Sequence, residues 1–291
     1  MSEPQASIAI IGGSGLYALA GLAAPREHTV TTPFGDPSDA IRIGTIDGRE
    51  VAFLARHGRE HRLLPGEINY RANIYALKAL GVTRVLSASA VGSMRETIHP
   101  RDVVVPDQFI DRTRGRAATF FGGGVAAHVA FADPVCPELR SVLASAAAAA
   151  GATVHPSGVY VCMEGPAFST RAESRLYRSW DVDVIGMTNL TEAKLAREAE
   201  LCYATLALVT DYDCWHEDED DVSVAAVLEN LRANATLAAT ALRTAVAQLP
   251  RERSACRCGD ALQHALITPP SAIGPHERAH LGVLLDRYAG I

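Results

Sequence analysis

The sequence lacks the features that would place the protein in a membrane, in a secretion pathway or on nucleic acid. Its apolar runs are interrupted by charges or glycine well before they reach a membrane-spanning length. The N-terminal segment, MSEPQAS, is polar and has no basic-then-apolar secretion signal. The net charge of −6 disfavours nucleic acid as a bulk partner. We therefore expect a soluble cytoplasmic protein.

Closely spaced cysteine pairs are also scarce. The chain has six cysteines, and Cys256 and Cys258 form the only close pair. A zinc site usually takes its four ligands from two such pairs. In a cytosolic protein the default interpretation is reduced structural thiols, with a stabilising disulfide as the alternative.

The chain also lacks internal repeats and linker-like composition breaks. Its 291 residues are 48% hydrophobic and 21% charged, which is ordinary for a globular protein. Predicted strands and helices alternate from residue 66 to 248, a pattern typical of an α/β fold. We predict a single α/β domain over 1–291, with a mostly parallel mixed sheet flanked by helices. Residues from about 250 to 291 are predicted to form a C-terminal extension that carries the Cys-x-Cys pair and a final helix.

Local signals predict several individual elements. Asp47-Gly48 between two alternating runs, 41–46 and 51–55, indicates a hairpin. A helix is predicted over 66–80. Another is predicted to begin at Asp133, as N-cap before a proline, and to end at Gly151. Thr170 and Glu173 have the spacing of a capping box.

Two carboxylates follow an apolar run that predicts a buried strand. The run ends at Val209, and Asp211 and Asp213 come directly after it. Residues two apart on a strand share a face, and acidic groups at this end of a parallel sheet lie where such sheets bind ligands. Two neighbouring carboxylates also raise at least one pKa, which suits a general acid. The alternative is an ordinary capping turn.

Two further loops have the composition of anion sites. Residues 12–17, GGSGLY, follow a short β-branched strand, and glycine lets backbone N–H groups approach a phosphate closely. Gly13, Gly15 and Ala18 also match the dinucleotide-binding spacing, but no well-placed acid follows. Residues 56–62, RHGREHR, supply arginine and histidine at another strand end. A ligand-free turn and a solvated basic loop are the respective alternatives.

Six predicted strand-end loops carry small, polar or charged residues, which favours one common pocket. The loops are 12–17, 56–62, 89–93, 164–169, 187–189 and 211–215.

In this order the loops resemble the 5′-methylthioadenosine phosphorylase family, the adenine-preferring branch of the trimeric purine nucleoside phosphorylases. The resemblance covers nearly the whole chain. It is carried by GGSGLY at 12–17, ARHGREH at 55–61, NYRANIYALK at 69–78, SASAVGSMRE at 87–96, DQFIDRT at 107–113, EGPAFSTRAES at 164–174, VIGMTNLTEA at 184–193 and VTDYDCW at 209–215.

The resemblance implies a homotrimeric phosphorylase that uses inorganic phosphate to release adenine from 5′-methylthioadenosine, with no metal or organic cofactor. It implies Asp211 and Asp213 as catalytic residues, with Asp211 as general acid to the purine N7. Phosphate would be held by Ser14, Arg56, His57, Ser89, Ala90 and Thr188. The nucleoside would be bound by Phe168, Ser169, Met187, Val224, Val227, Leu228 and His128, the last from a neighbouring subunit.

Two positions bear on substrate choice. In relatives that take 6-oxopurines, the resemblance places Glu at the position of Ser169 and Asn at that of Asp211. A carboxyl group can accept from the 6-amino group of adenine, whereas an Asn amide can donate to a 6-oxo group. A 6-oxopurine phosphorylase, a broad-specificity phosphorylase and a nucleoside-binding protein without turnover remain alternatives. Phosphate dependence of turnover separates catalysis from binding alone.

Overall fold

The fold is built around one mixed sheet. The computed structural model describes residues 5–13, 15–16, 21–216, 224–253 and 256–288, and the side chains of residues 224–228 lie outside that description. Within it are eleven strands: β1 (Ile8–Gly12), β2 (Ala23–His28), β3 (Ile41–Ile46), β4 (Arg49–Ala55), β5 (Arg84–Ser93), β6 (Val103–Val104), β7 (Gln108–Arg112), β8 (Val154–His155), β9 (Val159–Met163), β10 (Val184–Gly186) and β11 (Cys202–Asp211). The helices are α1 (Tyr70–Ala79), α2 (Pro137–Ala149), α3 (Arg171–Ser179), α4 (Asn189–Glu198), α5 (Val224–Gln248) and α6 (Pro275–Leu281).

Most strand pairings are parallel, as predicted. The main path through the sheet is β2-β3-β4-β1-β5-β10-β9-β7, and β11 joins β5 to β6. Strand β5 runs parallel to both β1 and β11, and its last residues pair antiparallel with β10. Three neighbouring strands therefore meet along β5, and the residues that follow them converge on its carboxyl half.

Helices cover both faces of the sheet. Alternate residues of β1 enter different cores: Ala9 and Ile11 pack with α1, α4 and the C-terminal segment, whereas Ile8 and Ile10 pack with α2 and α5. This is the result of the two-residue period of a strand that is buried on both sides. The prediction of a single α/β domain with a mixed, mostly parallel sheet is confirmed.

Several local predictions are confirmed and two helix starts are wrong. The hairpin turns at Asp47 and Gly48, both with positive φ, and Thr170 caps α3 with the reciprocal bond from Glu173. Helix α1 begins at Tyr70, capped by Asn69, because a 3₁₀ turn occupies residues 65–67.

Helix α2 begins at Pro137 rather than beside Asp133. Cys136 takes the N-cap position, so that a later proline stands in the first turn. Residues 108–112 form β7 because they pair with β9. Among the described residues, none of the helices combines the length and hydropathy needed to cross a membrane.

Candidate active site

A cavity of about 300 Å³ opens where β4, β5, β9, β10 and β11 end. Its described lining comes from loops that are far apart in the sequence. The lining residues are Arg56, His57, His61, Leu64, Pro65, Ser89, Ala90, Val91, Gly92, Met163, Pro166, Phe168, Ser169, Ile185, Gly186, Met187, Thr188, Thr210, Asp211, Asp213 and Leu231.

Strand register explains why these loops meet. Gly12 lies beside both Ala55 and Ala88, so the residues that follow β1 and β4 flank the middle of β5. Asp211 lies beside Gly92, further along the same strand. Four residues of β-strand separate the two positions, roughly 13 Å. The cavity therefore has a basic end near Ala88 and an acidic end near Gly92.

Arg56 anchors the basic end. Its side chain is fully buried and pairs with Glu192 of α4, with Nε 2.5 Å and Nη2 3.1 Å from the carboxylate oxygens. Nη1 donates to the Ala88 carbonyl and Nη2 to the Ser87 hydroxyl. Burial alone would lower the pKa of Arg56, but the charge and hydrogen bonds of Glu192 raise it above its usual value. Arg56 is thus a fixed cation at this end of the cavity.

Gly13 makes this placement possible. A Cβ at residue 13 would lie 2.7 Å from both Arg56 Nη1 and the Ala88 carbonyl oxygen, which is too close for any side chain. The glycine loop thus lets the arginine and the β1 turn share one space. This close approach supports the prediction that the two loops serve one anion site.

His57 is buried and neutral. Its Nδ1 lies 2.8 Å from the Leu63 carbonyl oxygen, which can only accept, so Nδ1 carries the hydrogen. Burial and then the charge of Arg56 lower the pKa of His57 to about 3. Its ring stacks on His61 at 4.2 Å between centroids. Nε2 is therefore a hydrogen-bond acceptor at neutral pH.

Helix α4 directs its N-terminus to the cavity. Thr188 is its N-cap residue, but the threonine side chain makes no capping bond and is buried against the cavity. Ser89 lines the same end and donates to Asn189 Oδ1 at 2.5 Å. Helix N-termini favour anions because their backbone N–H groups are unpaired. Arg56, Thr188, Ser89 and Ala90 are thus brought together as predicted.

Asp213 and Ser169 form the buried part of the acidic end. Ser169 Oγ lies 3.0 Å from both oxygens of Asp213, and both residues are less than a tenth exposed. Burial raises the pKa of Asp213, although the hydrogen bond from Ser169 opposes the rise. The sequence predicts such a rise from the neighbouring carboxylate, whereas burial is its largest cause.

Asp211 is the more accessible of the two acids. Its Oδ1 accepts the Asp213 N–H at 2.9 Å, and its Oδ2 accepts the Thr210 hydroxyl at 2.6 Å. The capping turn considered from sequence is therefore present, and it holds Asp213 in a left-handed conformation with φ 55°. A Cβ on Gly92 would lie 2.9 Å from Asp211 Oδ1, so glycine is required beneath the acid. Capping and lining the cavity are both observed for Asp211.

Apolar side chains lie between the two ends. Phe168, half exposed, and Met187 line the cavity with Val91 and Ile185. Arg116 holds the loops that present them, since it donates to the carbonyls of Glu164 and Met187 at 2.6 Å each. The middle of the cavity is suited to a flat ring and a sugar rather than to a charged group.

Some predicted site residues are not gathered here. Ser14 lies outside the described residues, as do the side chains of Val224, Val227 and Leu228. Leu231, one helical turn after Leu228, does line the cavity. His128 is exposed and is absent from the cavity lining in this chain, and its backbone N–H bonds to Ala265.

Several residues at or behind the cavity were missed from the sequence. His61, Leu231 and Met163 line it, whereas Glu192 and Arg116 act from behind the lining. Leu231 continues the 224, 227, 228 spacing and was recoverable from helical period. Glu192 lies in the first turn of α4, but its pairing with Arg56 spans 136 residues and has no local signal.

Comparison with known proteins agrees with this geometry. The model of the phosphorylase superfamily matches residues 7–247. An S-methyl-5′-thioadenosine phosphorylase of Geobacter sulfurreducens is 58% identical, over 97% of this chain and 98% of its own. One of Koribacter versatilis is 56% identical, over 98% of each chain.

Solved structures agree as well. A methylthioadenosine phosphorylase from an antarctic soil metagenomic library is 51% identical with a TM-score of 0.93, over 97% of this chain and all of that one. The Schistosoma mansoni methylthioadenosine phosphorylase in complex with adenine is 39% identical with a TM-score of 0.81, over 85% and 93%. The chain therefore belongs to the S-methyl-5′-thioadenosine phosphorylase family within the phosphorylase superfamily.

Proposed function

We propose that the protein is a pentosyltransferase that cleaves 5′-methylthioadenosine with inorganic phosphate, giving adenine and 5-methylthioribose 1-phosphate. One observation carries the proposal: a buried arginine and a helix N-terminus lie roughly 13 Å along β5 from a pair of carboxyl groups. A cavity of that length accommodates phosphate, a sugar and a purine side by side in that order. The relatives described above support the same assignment.

The basic end binds and orients the nucleophile. Arg56 supplies fixed positive charge, Thr188 a hydroxyl, and the start of α4 the positive end of its helix dipole. The family resemblance adds Ser14 to this set. Because His57 presents an unprotonated Nε2, it accepts the hydroxyl hydrogen of HPO₄²⁻ instead of donating to an oxygen. This directs an unprotonated phosphate oxygen toward C1′ of the sugar.

The acidic end assists the leaving group. As the N9–C1′ bond breaks, positive charge grows on the sugar and negative charge on the base, and a C1′–O bond to phosphate forms. Asp211, at the open end of β11, gives its proton to N7, and adenine leaves as a neutral molecule. Asp213, whose pKa is raised by burial, and Ser169 face the purine edge. No electrons are transferred, so the reaction requires no redox cofactor.

The remaining site residues follow from the resemblance. Phe168 contacts the base and Met187 the ribose, and Val224, Val227 and Leu228 surround the methylthio group. His128 reaches the site of a neighbouring subunit in a cytoplasmic homotrimer, which is compatible with its exposure in a single chain.

Product analysis tests the reaction directly. We expect adenine from 5′-methylthioadenosine only when phosphate is present. The protein is incubated with 5′-methylthioadenosine, 5′-methylthioinosine, adenosine or inosine, each with and without phosphate, and products are separated by chromatography. Hypoxanthine from the inosine substrates alone would reassign the protein to the 6-oxopurine branch. Release without phosphate would indicate a hydrolase, and no release would indicate a binding protein.

The low pKa of His57 predicts how its contribution to phosphate binding depends on pH. With a value of about 3, His57 stays neutral from pH 5 to 9 and contributes the same hydrogen bond throughout. His57→Ala is expected to raise KM for phosphate roughly 10–150-fold, the loss of one bond to a charged group. The ratio of KM in variant and wild type is expected to be constant across that range. A ratio that changes near pH 6.5 would show a histidine that titrates normally; His155→Ala, outside the cavity lining, is the control.

A further inference from the structure

Four of the six cysteines come together at the opposite end of β11 from the acidic pair. The Sγ atoms of Cys136, Cys202, Cys256 and Cys258 all lie within 4.8 Å of one another, and three of these residues are buried. All four are free thiols, and the nearest measured pair, Cys202 and Cys256, is 3.3 Å apart. The group lacks the two closely spaced cysteine pairs from which a zinc site is usually predicted. Two of the four are isolated in sequence and are joined by the fold.

The cluster sits where three parts of the chain meet. Cys136 is the N-cap of α2, Cys202 is the first residue of β11, and Cys256 and Cys258 flank the start of a 3₁₀ turn in the C-terminal segment. Around them pack apolar residues of α2 and α5. Alanine or valine would fill this apolar corner equally well, so packing alone does not require four cysteines there.

From this geometry we propose that the four cysteines form a structural Zn²⁺ site. In a tetrahedral thiolate site each Zn–S bond is about 2.3 Å, which places the sulfurs about 3.8 Å from one another. The observed separations, none above 4.8 Å, need only small side-chain adjustments to reach that value. Four thiolates around a metal with no open position are typical of structural zinc, not of catalytic zinc.

The surroundings supply what such a centre requires. Binding Zn²⁺ releases four thiol protons and leaves a net charge of −2, which must be balanced in an apolar environment. Arg84 and Arg253 line the small cavity that also borders Cys136 and Cys202. The Nε–H of Arg84, a residue 4% exposed, is buried without a hydrogen-bond partner among the described residues. A donor of this kind beside metal-bound sulfur is a common outer-shell interaction.

The four cysteines come from three separate parts of the chain. The site would link the C-terminal segment to α2 and β11, so zinc would stabilise the folded chain.

Metal analysis of the purified protein tests the proposal. The full-length chain is prepared with a thiol reductant and without chelators, and metals are measured by plasma mass spectrometry. We expect about one zinc per chain. Cys256→Ser/Cys258→Ser is expected to lose it, whereas Cys162→Ala, at a buried cysteine of β9 outside the cluster, is expected to retain it. We expect zinc removal to lower Tm by roughly 5–10 °C.

A second measurement does not depend on the variants folding. Titrating wild-type protein with a thiol-directed mercurial should release the zinc in proportion to four modified thiols. Refilling the emptied site with Co²⁺ should give the intense visible absorption of tetrahedral cobalt thiolate. All six thiols should react after denaturation with a chelator. Two disulfides, which would leave only two reactive thiols, would overturn the proposal. So would stoichiometric iron, or a reduced protein that binds no metal.

Discussion

Replacing Asp211 by Asn is expected to lower kcat for 5′-methylthioadenosine by about 10²–10⁴-fold, because the variant cannot protonate N7 of the departing base. Asn keeps the size of the side chain and an oxygen that can accept the Asp213 N–H, which is 2.9 Å away in the native chain. The loss should therefore reflect proton donation and not collapse of the turn. The measurement is kcat against pH: in the native enzyme it falls as pH rises through the pKa of the bound acid, and this limb should disappear in the variant.

Asp213→Asn is the matched comparison. Because burial raises the pKa of Asp213, a neutral amide resembles its protonated form, and Ser169 can still hydrogen-bond to it. We expect Asp213→Asn to retain most of the native kcat and the native pH limb. If Asp213→Asn instead loses as much activity as Asp211→Asn and removes the limb, the proton donor is Asp213.

The same Asp211 variant should change substrate preference. An Asn amide can donate to a 6-oxo group, so the ratio of kcat/KM for 5′-methylthioinosine to that for 5′-methylthioadenosine should rise by roughly tenfold or more. An unchanged ratio would contradict the assignment of residue 211 to the purine edge.

Glu192→Gln is expected to have the second large effect, through a residue that does not line the cavity. Glu192 holds the Arg56 guanidinium with two contacts and also accepts from Ser87 and Tyr203, all of them buried. Breaking a buried ion pair leaves the remaining charge buried without a counter-charge, which typically lowers the free energy of unfolding by about 3–5 kcal/mol. With Arg56 no longer fixed, KM for phosphate should rise by roughly 100-fold, with a much smaller change in KM for the nucleoside.

Glu198→Gln separates positioning from stability. Glu198 is a buried acid on the same helix, but it binds Thr119 and the Phe120 N–H, away from Arg56. We expect this variant to lose stability without a rise in KM for phosphate. Similar KM values for Glu192→Gln and Glu198→Gln would mean that Arg56 is held by Ala88 and Ser87 alone. Chemical denaturation and initial rates at varied phosphate give both quantities.

Much of the fold was predictable because its signals are local. The hairpin at Asp47-Gly48, the capping box at Thr170 and the buried strand before Asp211 each depend on neighbours a few residues apart. The starts of α1 and α2 were wrong for a related reason. More than one residue in each region can cap a helix, and packing selects Asn69 and Cys136.

The residues of the site also fall into two groups, those with a local sequence signal and those without one. Residues at strand ends, such as Arg56, Thr188 and Asp211, were predicted because parallel strands bring their carboxyl ends together. Glu192, Arg116 and the four cysteines were not, because each acts through partners distant in sequence whose pairing depends on the finished fold. Nor does a sequence reveal that His57 is neutral, since that follows from burial beside Arg56.

Strand β11 carries the thiol cluster at its first residue, Cys202, and the acidic group at its last, Asp211. Ten residues of extended chain place these ends about 30 Å apart, several times the distance over which salt screens a charge. Heat tolerance and turnover are therefore separable properties of this molecule. Selection for growth at another temperature could exchange metal, disulfide or aliphatic packing at one end of the strand and leave the chemistry at the other end unaltered.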